Sequence, residues 1–575
     1  MILLGKTRQK RGEKTMRKPK LSELTLREKI GQTAMGRCDS PGIADVKKYP
    51  YGSIWASGDL NFGVDIDKVN PNANKRDKWL ESIREINNNL KVPLIQAGDC
   101  STTIGAKEYG YVLDSLVLGS TGSEEFAYES GVLRGKMLRH AGTNWVWNPI
   151  CDLASRYCAS LHGRTYTDDP DKLISMNLAT IKGYHEMGLA TTVKHFPGED
   201  GMEYRDAHFI ETKNLSTKEE WFAGQGRVFQ AMIDAGVDTI MTAHQCFPFF
   251  DNEQRNGRYV PATLSSKVLI DLLKGQMGFK GVVITDDVWM RSVSTYCGDD
   301  LKRVYIECIK AGNDIVLGVK DFYFDVIEEA VKSGEISMER LDDACQRVLD
   351  LKEKVGLFND DYDLAPGDLD EINAAMADFN KRAAKKAISL VCDDNKLFPL
   401  TKEKAKKVCI IYSGHDKDGS NKACDHMKYL VKEFEKRGSE VYFRRGLLND
   451  FDSEAELAEI AKEYDLIIYA GYLMRWNPRG MSSFYGQEVS TFQNALRSGT
   501  EKTIGIGFGV PFMYYDFYAA FPTYLNAYSY VPEVIEATVA AMYGEIPFEG
   551  GEPFQLVPAY VRERLAMLKE LEKQN

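Results

Sequence analysis

Short apolar runs alternate with amphipathic stretches along the first two thirds of the chain, and several of these runs are apolar on both faces. Strands with that pattern are typical of parallel sheets covered by helices on both sides. The runs lie ~30–50 residues apart, which leaves room for a helix and a loop between them. The predicted strands are Gly52–Ala56, Val92–Gln96, Asn144–Trp147, Ala190–Val193, Asp238–Thr242, Val282–Thr285 and Asp314–Leu317.

Seven strand–helix units over ~300 residues predict an α/β fold, a (β/α)₈ barrel of the TIM type with one strand left undetected by its pattern. An open, doubly wound sheet is the alternative. Nucleotide binding is disfavoured, because no glycine-rich Gly-x-Gly-x-x-Gly loop follows a strand and no Walker sequence is present.

A second alternation of strands and helices follows a polar segment that contains Pro366-Gly367, which is typical of a linker. A lysine-rich helix is expected over Lys381–Leu390. The five strands predicted after it are Val408–Tyr412, Val441–Phe443, Leu466–Tyr469, Thr503–Ile506 and Thr523–Leu525. We therefore expect a catalytic barrel over residues 21–357, a linker over 358–380 and a smaller α/β sandwich domain over 381–575.

Three helix starts carry the sequence of a capping box, in which a Ser or Thr is followed three residues later by Glu. These are Thr25 with Glu28, Ser216 with Glu219 and Ser453 with Glu456, each opening a segment of apolar periodicity.

Composition narrows the class of protein. The chain has 575 residues, 73 Lys and Arg against 84 Asp and Glu, and a net charge of −11. This is ordinary globular composition and it argues against a nucleic-acid partner, which usually meets a basic surface. No run approaches the ~20 apolar residues of a membrane-spanning helix, so no membrane partner is expected.

The first twenty residues are basic, and we interpret them as a disordered leader in which Met16 is a second possible start. Ile2-Leu3-Leu4 is too short for the core of a signal peptide. Eleven scattered cysteines without a Cys-x-x-Cys pair fit a reducing cytoplasm, which is the predicted location. Neither they nor the eight histidines show the spacing of a metal site.

Polar residues stand directly after the apolar runs, where a parallel barrel builds its active site. They are Asp99, Asn148, Asp152, Lys194, His195, His244, Asp286 and Asp287. Asp286 and Asp287 are adjacent, so one is expected in the cleft and the other as a cap. Asp206 stands two residues before His208, where it can orient the imidazole and raise its basicity. Arg164 adds a cation in a polar loop, with a surface salt bridge as its simpler interpretation.

Several of these segments, in order along the chain, resemble glycoside hydrolase family 3, and more narrowly its β-N-acetylglucosaminidase branch. Lys194-His-Phe-Pro-Gly198 followed by Asp206-x-His208 is similar to the signature of that branch. The other matching segments are Leu24-Thr-x-x-Glu-Lys-Ile-Gly-Gln32, Arg164-x-x-x-Asp-Asp-Pro170, Met241-Thr-Ala-His244, Pro261-Ala-Thr-Leu-Ser265, Gly278–Met290 and Gly505–Phe548.

The resemblance implies a barrel followed by an α/β sandwich and a retaining mechanism without metal or other cofactor, acting on a carbohydrate with a terminal β-linked sugar. It implies that Asp286 is the nucleophile and that Asp206 and His208 form the acid/base dyad. It further implies that Asp99, Arg164, Lys194 and His195 bind the hydroxyls of the terminal sugar. A histidine in the acid/base role removes a negative charge from the acceptor site, which favours an anionic acceptor such as phosphate.

Three departures from the family concern the loops near the sugar. Asp99-Cys-Ser-Thr-Thr103 replaces Asp-Gln-Glu-Gly-Gly, an expected arginine has only Lys107 nearby, and the loop between Lys194 and His208 is about one residue longer than usual. The leading hypothesis is an exo-acting, retaining β-N-acetylglucosaminidase. The alternatives are a β-glucosidase of other specificity, a glycoside phosphorylase and a non-catalytic sugar-binding protein.

Overall fold

The structure is a computed structural model. It describes residues 17–37, 45–55, 75–99, 108–154, 161, 163–199, 203, 205–414, 422–447, 453–473, 491, 494–515, 519, 521–557 and 559–574. Met16, Lys107 and the segment from Cys100 to Thr103 lie outside the described residues, as does most of the expected leader.

Eight parallel strands form the barrel, which confirms the predicted fold class. They are β1 Ala34–Arg37, β2 Ser53–Trp55, β3 Ile95–Gly98, β4 Trp145–Val146, β5 Ala190–Phe196, β6 Thr239–Thr242, β7 Val282–Thr285 and β8 Val316–Leu317. Neighbours in the sheet follow the order β8-β1-β2-β3-β4-β5-β6-β7. A parallel bridge between Ile284 and Ile315 joins β7 to β8, so the sheet closes on itself.

The strand missing from the sequence pattern is β1. Its sequence, Ala-Met-Gly-Arg, contains no β-branched residue, and it follows a helix after a single residue. It pairs with β2 on one side and β8 on the other, and its first three residues are buried. Tertiary pairing therefore imposes the strand on a segment whose own preference for it is weak.

Helices surround the barrel and cover the sandwich. The α-helices are Leu26–Gln32, Lys75–Asn89, Ser115–Thr121, Glu124–His140, Pro170–Glu186, Lys218–Ala223, Gln225–Asp234, Arg291–Ser294, Leu301–Ala311, Tyr323–Lys332, Met338–Lys354, Leu369–Ala387, Lys422–Lys436, Ser453–Glu463, Pro532–Met542 and Ala559–Gln574, and Lys267–Gln276 is a π-helix. No helix within the described part of the chain is long and apolar enough to cross a membrane.

Of the three predicted capping boxes, the first is confirmed, the second is shifted, and Ser453 of the third is the first residue of its helix. The Thr25 hydroxyl accepts from the Glu28 amide and the Glu28 carboxylate accepts from the Thr25 amide. The second box uses Thr217 and Glu220 instead of Ser216 and Glu219, one residue later. The Ser216 amide donates to Asn214 Oδ1, which places Ser216 in the turn before the helix.

The second sheet has six strands. They are β9 Ser389–Asp393, β10 Lys407–Gly414, β11 Glu440–Arg445, β12 Leu466–Tyr472, β13 Thr503–Gly507 and β14 Thr523–Asn526. Their order in the sheet is β9-β14-β13-β12-β10-β11, and β9 is antiparallel to β14 while the others are parallel. Together with its helices this sheet forms the expected α/β sandwich.

The helix Leu369–Ala387 packs both on barrel helices and on Pro532–Met542 of the sandwich. It begins inside the segment expected to be a linker, and the chain turns into β9 at Ser389, so the helix predicted to run to Leu390 ends three residues earlier. Asn380 joins this helix to the segment before the helix Ser115–Thr121, because its side chain accepts from the Leu113 amide and donates to the Tyr111 carbonyl. The boundaries of the four predicted segments stay a prediction.

Candidate active site

The strand ends of the barrel bring most of the predicted site residues to one mouth. Asp99 follows β3, Lys194 and His195 lie near the end of β5, and Asp286 follows β7. Carboxyl ends of parallel strands meet at one face of a barrel, and this is where barrel enzymes carry out their chemistry.

Asp286 lies at the centre of this mouth. Its amide donates to the Thr242 carbonyl, and its Oδ1 accepts from the Asp287 amide at 2.7 Å. Burial opposes the charged form of this carboxyl group, but the electrostatic influence of His195, His244 and Lys194, together with the hydrogen bond from the Asp287 amide, more than compensates. The pKa of Asp286 is lowered to about 2. The group is therefore a carboxylate over the whole range in which the protein would work.

Asp287 has the structural role expected of one of the two aspartates. Its Oδ1 accepts from the Trp289 amide at 3.0 Å, which caps a turn, and its Oδ2 lies 3.4 Å from Arg37 Nη1. Burial and the charge of Asp286 raise its pKa. Its oxygens are thus engaged with the loop after β7.

The Asp206–His208 pair is formed as the sequence suggested. Nδ1 of His208 lies 2.8 Å from Oδ1 of Asp206, which also accepts from the His208 amide at 2.8 Å. Asp206 is buried, whereas 34% of the His208 side chain is exposed. Burial lowers the pKa of His208, but the hydrogen bond to Asp206 and its charge outweigh this, so the pKa is raised. Since Nδ1 faces Asp206, Nε2 is the ring nitrogen that points away from this carboxylate.

Backbone hydrogen bonds tie this pair to the segment after β7. The Arg291 amide donates to the His208 carbonyl at 3.0 Å, and the Ser292 amide donates to the Ala207 carbonyl at 3.2 Å. The charge of Asp286 contributes to the raised pKa of His208, so the two groups act on each other across the mouth. The structure therefore brings a carboxylate and an oriented imidazole to one cleft.

Lys194 and Asp99 form a charged pair beside these groups. Lys194 Nζ donates to Asp99 Oδ1 at 2.6 Å, and the lysine side chain is almost fully buried. Burial raises the pKa of Asp99, but the charges of Lys194 and Arg164 lower it by more. The structure thus places Arg164 within electrostatic reach of Asp99, and a surface salt bridge is not needed to explain it.

His195 is held between two aspartates. Its Nδ1 lies 2.8 Å from Asp152 Oδ2, which also accepts from the His195 amide, and its Nε2 lies 3.9 Å from Asp286 Oδ2. The pairing of β5 with β6 is irregular between Val193 and Phe196. A regular strand points neighbouring side chains to opposite faces, and the irregularity lets Lys194 and His195 both contact residues of the mouth. The Lys194–His195 peptide bond is cis.

Sequence reasoning placed Asp152 and His244 at strand ends but gave them no role, and it gave none to Glu199. Asp152 orients His195 through Oδ2 and accepts from the Glu199 amide through Oδ1 at 2.9 Å. His244 Nε2 lies 3.0 Å from the Asp287 carbonyl, so it donates there and supports the aspartate pair. Burial raises the pKa of Glu199. Only the position directly after a strand marked the first two in the sequence, and Glu199 stood out only as part of the longer loop between Lys194 and His208.

Comparison with models of protein families shows which family the chain belongs to. The model of the glycosyl hydrolase family 3 N terminal domain matches residues 25–351, more than half of the chain. The chain belongs to glycoside hydrolase family 3. It is therefore a glycosidase that acts on β-linked sugars.

Characterised proteins are similar to the chain in sequence and in fold. A Beta-N-acetylglucosaminidase/beta-glucosidase of Cellulomonas fimi is 26% identical over 491 residues, covering 82% of this chain and 85% of that protein. A Beta-hexosaminidase of Stenotrophomonas maltophilia strain K279a is 33% identical over 209 residues, 36% of this chain and 59% of that protein. The solved structure of the Beta-glucoside phosphorylase BglX bound to 2FGlc matches 93% of this chain and 95% of its own, with TM-score 0.79 and 24% identity.

In this family 3 member, the side chains at the barrel mouth are carboxylates, imidazoles and cations. Among the described residues, no group of three or more His, Cys, Asp or Glu side chains is arranged to hold a metal ion. The chemistry that the named side chains can supply is nucleophilic attack by Asp286, proton transfer by His208 and hydrogen bonding to hydroxyls by Asp99, Lys194 and Arg164.

Proposed function

We propose that the protein is an exo-acting, retaining β-N-acetylglucosaminidase that removes a terminal β-linked N-acetylglucosamine. The observation that supports this best is the pairing of an always-ionised Asp286 with an imidazole, His208, whose pKa is raised by Asp206. The barrel mouth then contains an ionised nucleophile and an imidazole that holds its proton more tightly than an ordinary histidine does.

In the first step, the Asp286 carboxylate attacks the anomeric carbon and forms a covalent glycosyl-enzyme. The leaving oxygen takes a proton from His208 Nε2, because the carbon–oxygen bond to a sugar alcohol does not break readily without one. The position of the proton on the ring follows from the bond between Nδ1 and Asp206.

In the second step, His208 acts as the base. The neutral imidazole left by the first step takes a proton from water as the water attacks the glycosyl-enzyme, and Asp286 is released. The buried carboxylate of Asp206 stabilises the imidazolium that forms again. Two displacements at one carbon retain the β configuration of the product.

The terminal sugar is held by the charged groups around Asp286. Lys194 and Arg164 donate to hydroxyls, Asp99 accepts from them, and His195 is fixed beside Asp286 by Asp152. Charged groups make the stronger hydrogen bonds, and a sugar with several hydroxyls needs donors and acceptors of both signs. The name of the relative in Cellulomonas fimi supports N-acetylglucosamine and also leaves glucose as a second sugar.

A glycoside phosphorylase is the second candidate. A carboxylate base would repel an anionic acceptor such as phosphate, whereas an imidazole base does not. The charged oxygens of Asp206 lie buried behind the ring. Phosphate would then attack the glycosyl-enzyme in place of water and give a glycosyl phosphate.

The test is a panel of aryl β-glycosides that differ in the sugar, assayed with and without phosphate. We expect the N-acetylglucosaminide to be the best substrate and free N-acetylglucosamine to be the product. Preference for the glucoside would select the β-glucosidase, a glycosyl phosphate product would select the phosphorylase, and no turnover of any glycoside would refute the proposal.

A second assay tests His208 directly. The variant His208→Ala should lose far more activity on a disaccharide than on a nitrophenyl glycoside, because nitrophenol departs without a proton; the loss on the disaccharide should be ~10²–10⁴-fold. Azide should partly restore turnover of the nitrophenyl glycoside and give the β-glycosyl azide. An equal loss on both substrates with no effect of azide would show that His208 is not the acid/base.

A further inference from the structure

A tryptophan stands partly exposed at the mouth, three residues after Asp286. The side chain of Trp289 is 44% exposed, although its position is fixed at two points. Its amide donates to Asp287 Oδ1 at 3.0 Å, and its indole Nε1–H donates to the Gly318 carbonyl at 2.7 Å. Because both its backbone and its indole nitrogen are fixed, the exposed part of the ring offers a rigid apolar surface at the mouth.

The surroundings of Trp289 place it on the working face of the barrel. Gly318 directly follows the end of β8, and its bare backbone lies against both the ring and Asp287. A Cβ atom at residue 318 would lie 3.1 Å from Trp289 Cδ1 and 2.5 Å from Asp287 Oδ1. Lys320 Nζ lies 5.0 Å from the centre of the indole ring, within cation–π distance.

A second apolar group lies next to the proton donor. Phe209 and Ile210 follow His208 directly and are 60% and 49% exposed. The two backbone bonds from Arg291 and Ser292 to the 207–208 segment hold the residues after Trp289 against the residues before Phe209. Exposed apolar side chains thus lie on the two segments that carry Asp286 and His208.

The chemistry of the reaction says what this surface faces. The acid/base must reach the glycosidic oxygen, so the leaving group lies on the side of His208, beyond the bond that Asp286 breaks. Aromatic rings stack on flat apolar partners, such as aryl groups and the C–H face of a pyranose ring. An exposed aliphatic side chain has no flat face on which such a partner can stack.

We propose that Trp289 is the platform on which the leaving group of the substrate lies, and that the leaving group presents a flat apolar face, either an aryl ring or a sugar ring. This rests on the proposed function, because it takes the roles of Asp286 and His208 from it. It adds a residue that selects the leaving group and has no part in holding the terminal sugar.

The experiment compares three substrates with the same terminal sugar and a nitrophenyl, a second sugar or a methyl group as the leaving group, all followed by release of the terminal sugar. In Trp289→Ala we expect kcat/KM to fall about tenfold or more for the substrates with a ring and to change less than twofold for the methyl glycoside. Trp289→Phe should keep most of the activity. A fall for the nitrophenyl substrate alone assigns the platform to aryl groups, and a fall for both ring substrates extends it to sugars.

The matched control is Tyr442→Ala, which removes a 47% exposed aromatic ring from β11 of the other sheet and should leave all three substrates unchanged. Equal losses on all three substrates in Trp289→Ala, or no loss on any, would overturn the proposal for Trp289. Turnover by the wild type would still support the proposed glycosidase function. If the alanine variant does not fold, Trp289→Leu against Trp289→Phe gives the same comparison, since both keep an apolar side chain and only one keeps a flat ring. Failure of the wild type on every substrate would instead overturn the proposed function.

Discussion

Removing the charge of Asp206 should move the basic limb of the pH profile. In Asp206→Asn the side chain keeps its shape and one oxygen that accepts hydrogen bonds, but it loses the negative charge that faces His208 Nδ1 at 2.8 Å. The pKa of His208 is raised above the ordinary value for histidine chiefly by this hydrogen bond and charge. The proton donor should therefore be lost at a lower pH in the variant.

The size of the shift follows from the strength of the bond. A hydrogen bond between an imidazolium and a buried carboxylate is worth roughly 1.5–3 kcal/mol, and 1.36 kcal/mol corresponds to one pKa unit. We therefore expect the basic limb of kcat/KM to move down by about one to two pH units. The sign follows because a neighbouring negative charge stabilises the protonated ring, and its loss favours deprotonation.

The assay is kcat/KM against pH for a disaccharide, whose leaving group needs the proton, and for a nitrophenyl glycoside. The limb should move for the disaccharide and much less for the nitrophenyl substrate. Glu203→Gln is the control, because Glu203 lies in the same segment but pairs with Arg205 at 2.6 Å, and its limb should stay in place. An unmoved limb in Asp206→Asn, with the fold intact by circular dichroism, would refute the assignment of the dyad.

Further variants test the rest of the site. Asp286→Ala should abolish turnover because no glycosyl-enzyme forms, whereas Asp287→Ala should cost far less; a dead Asp287→Ala beside an active Asp286→Ala would reverse the assignment. Arg164→Ala and Lys194→Ala should each lower kcat/KM by about 10–100-fold, as expected for loss of a charged donor worth roughly 1.5–3 kcal/mol, and unchanged kinetics would remove both from the sugar site.

Much of the architecture was already present in the local pattern of residues. Seven of the eight barrel strands and five of the six sandwich strands coincide with apolar runs, because a strand buried on both faces must be apolar along its length. The sequence missed β1 and β9, because their own residues favour a strand only weakly. Both become strands by pairing with strands distant in the chain, β8 and β14. The capping box lies at Thr217 instead of Ser216, and the sequence could not separate the two because both have a Glu three residues later.

The candidate site shows the same division. Asp206 and His208 are two residues apart, and their hydrogen bond is local, so the sequence was enough to predict the pair. The partners of Lys194 and His195, which are Asp99 and Asp152, stand 95 and 43 residues away, and only closure of the barrel brings them together. The sequence by itself thus determined which chemical groups the protein has and where along the chain most of its strands lie. The tertiary structure alone decided which charges face one another, because a pKa depends on distance in space and on burial, and neither can be read from spacing along the chain.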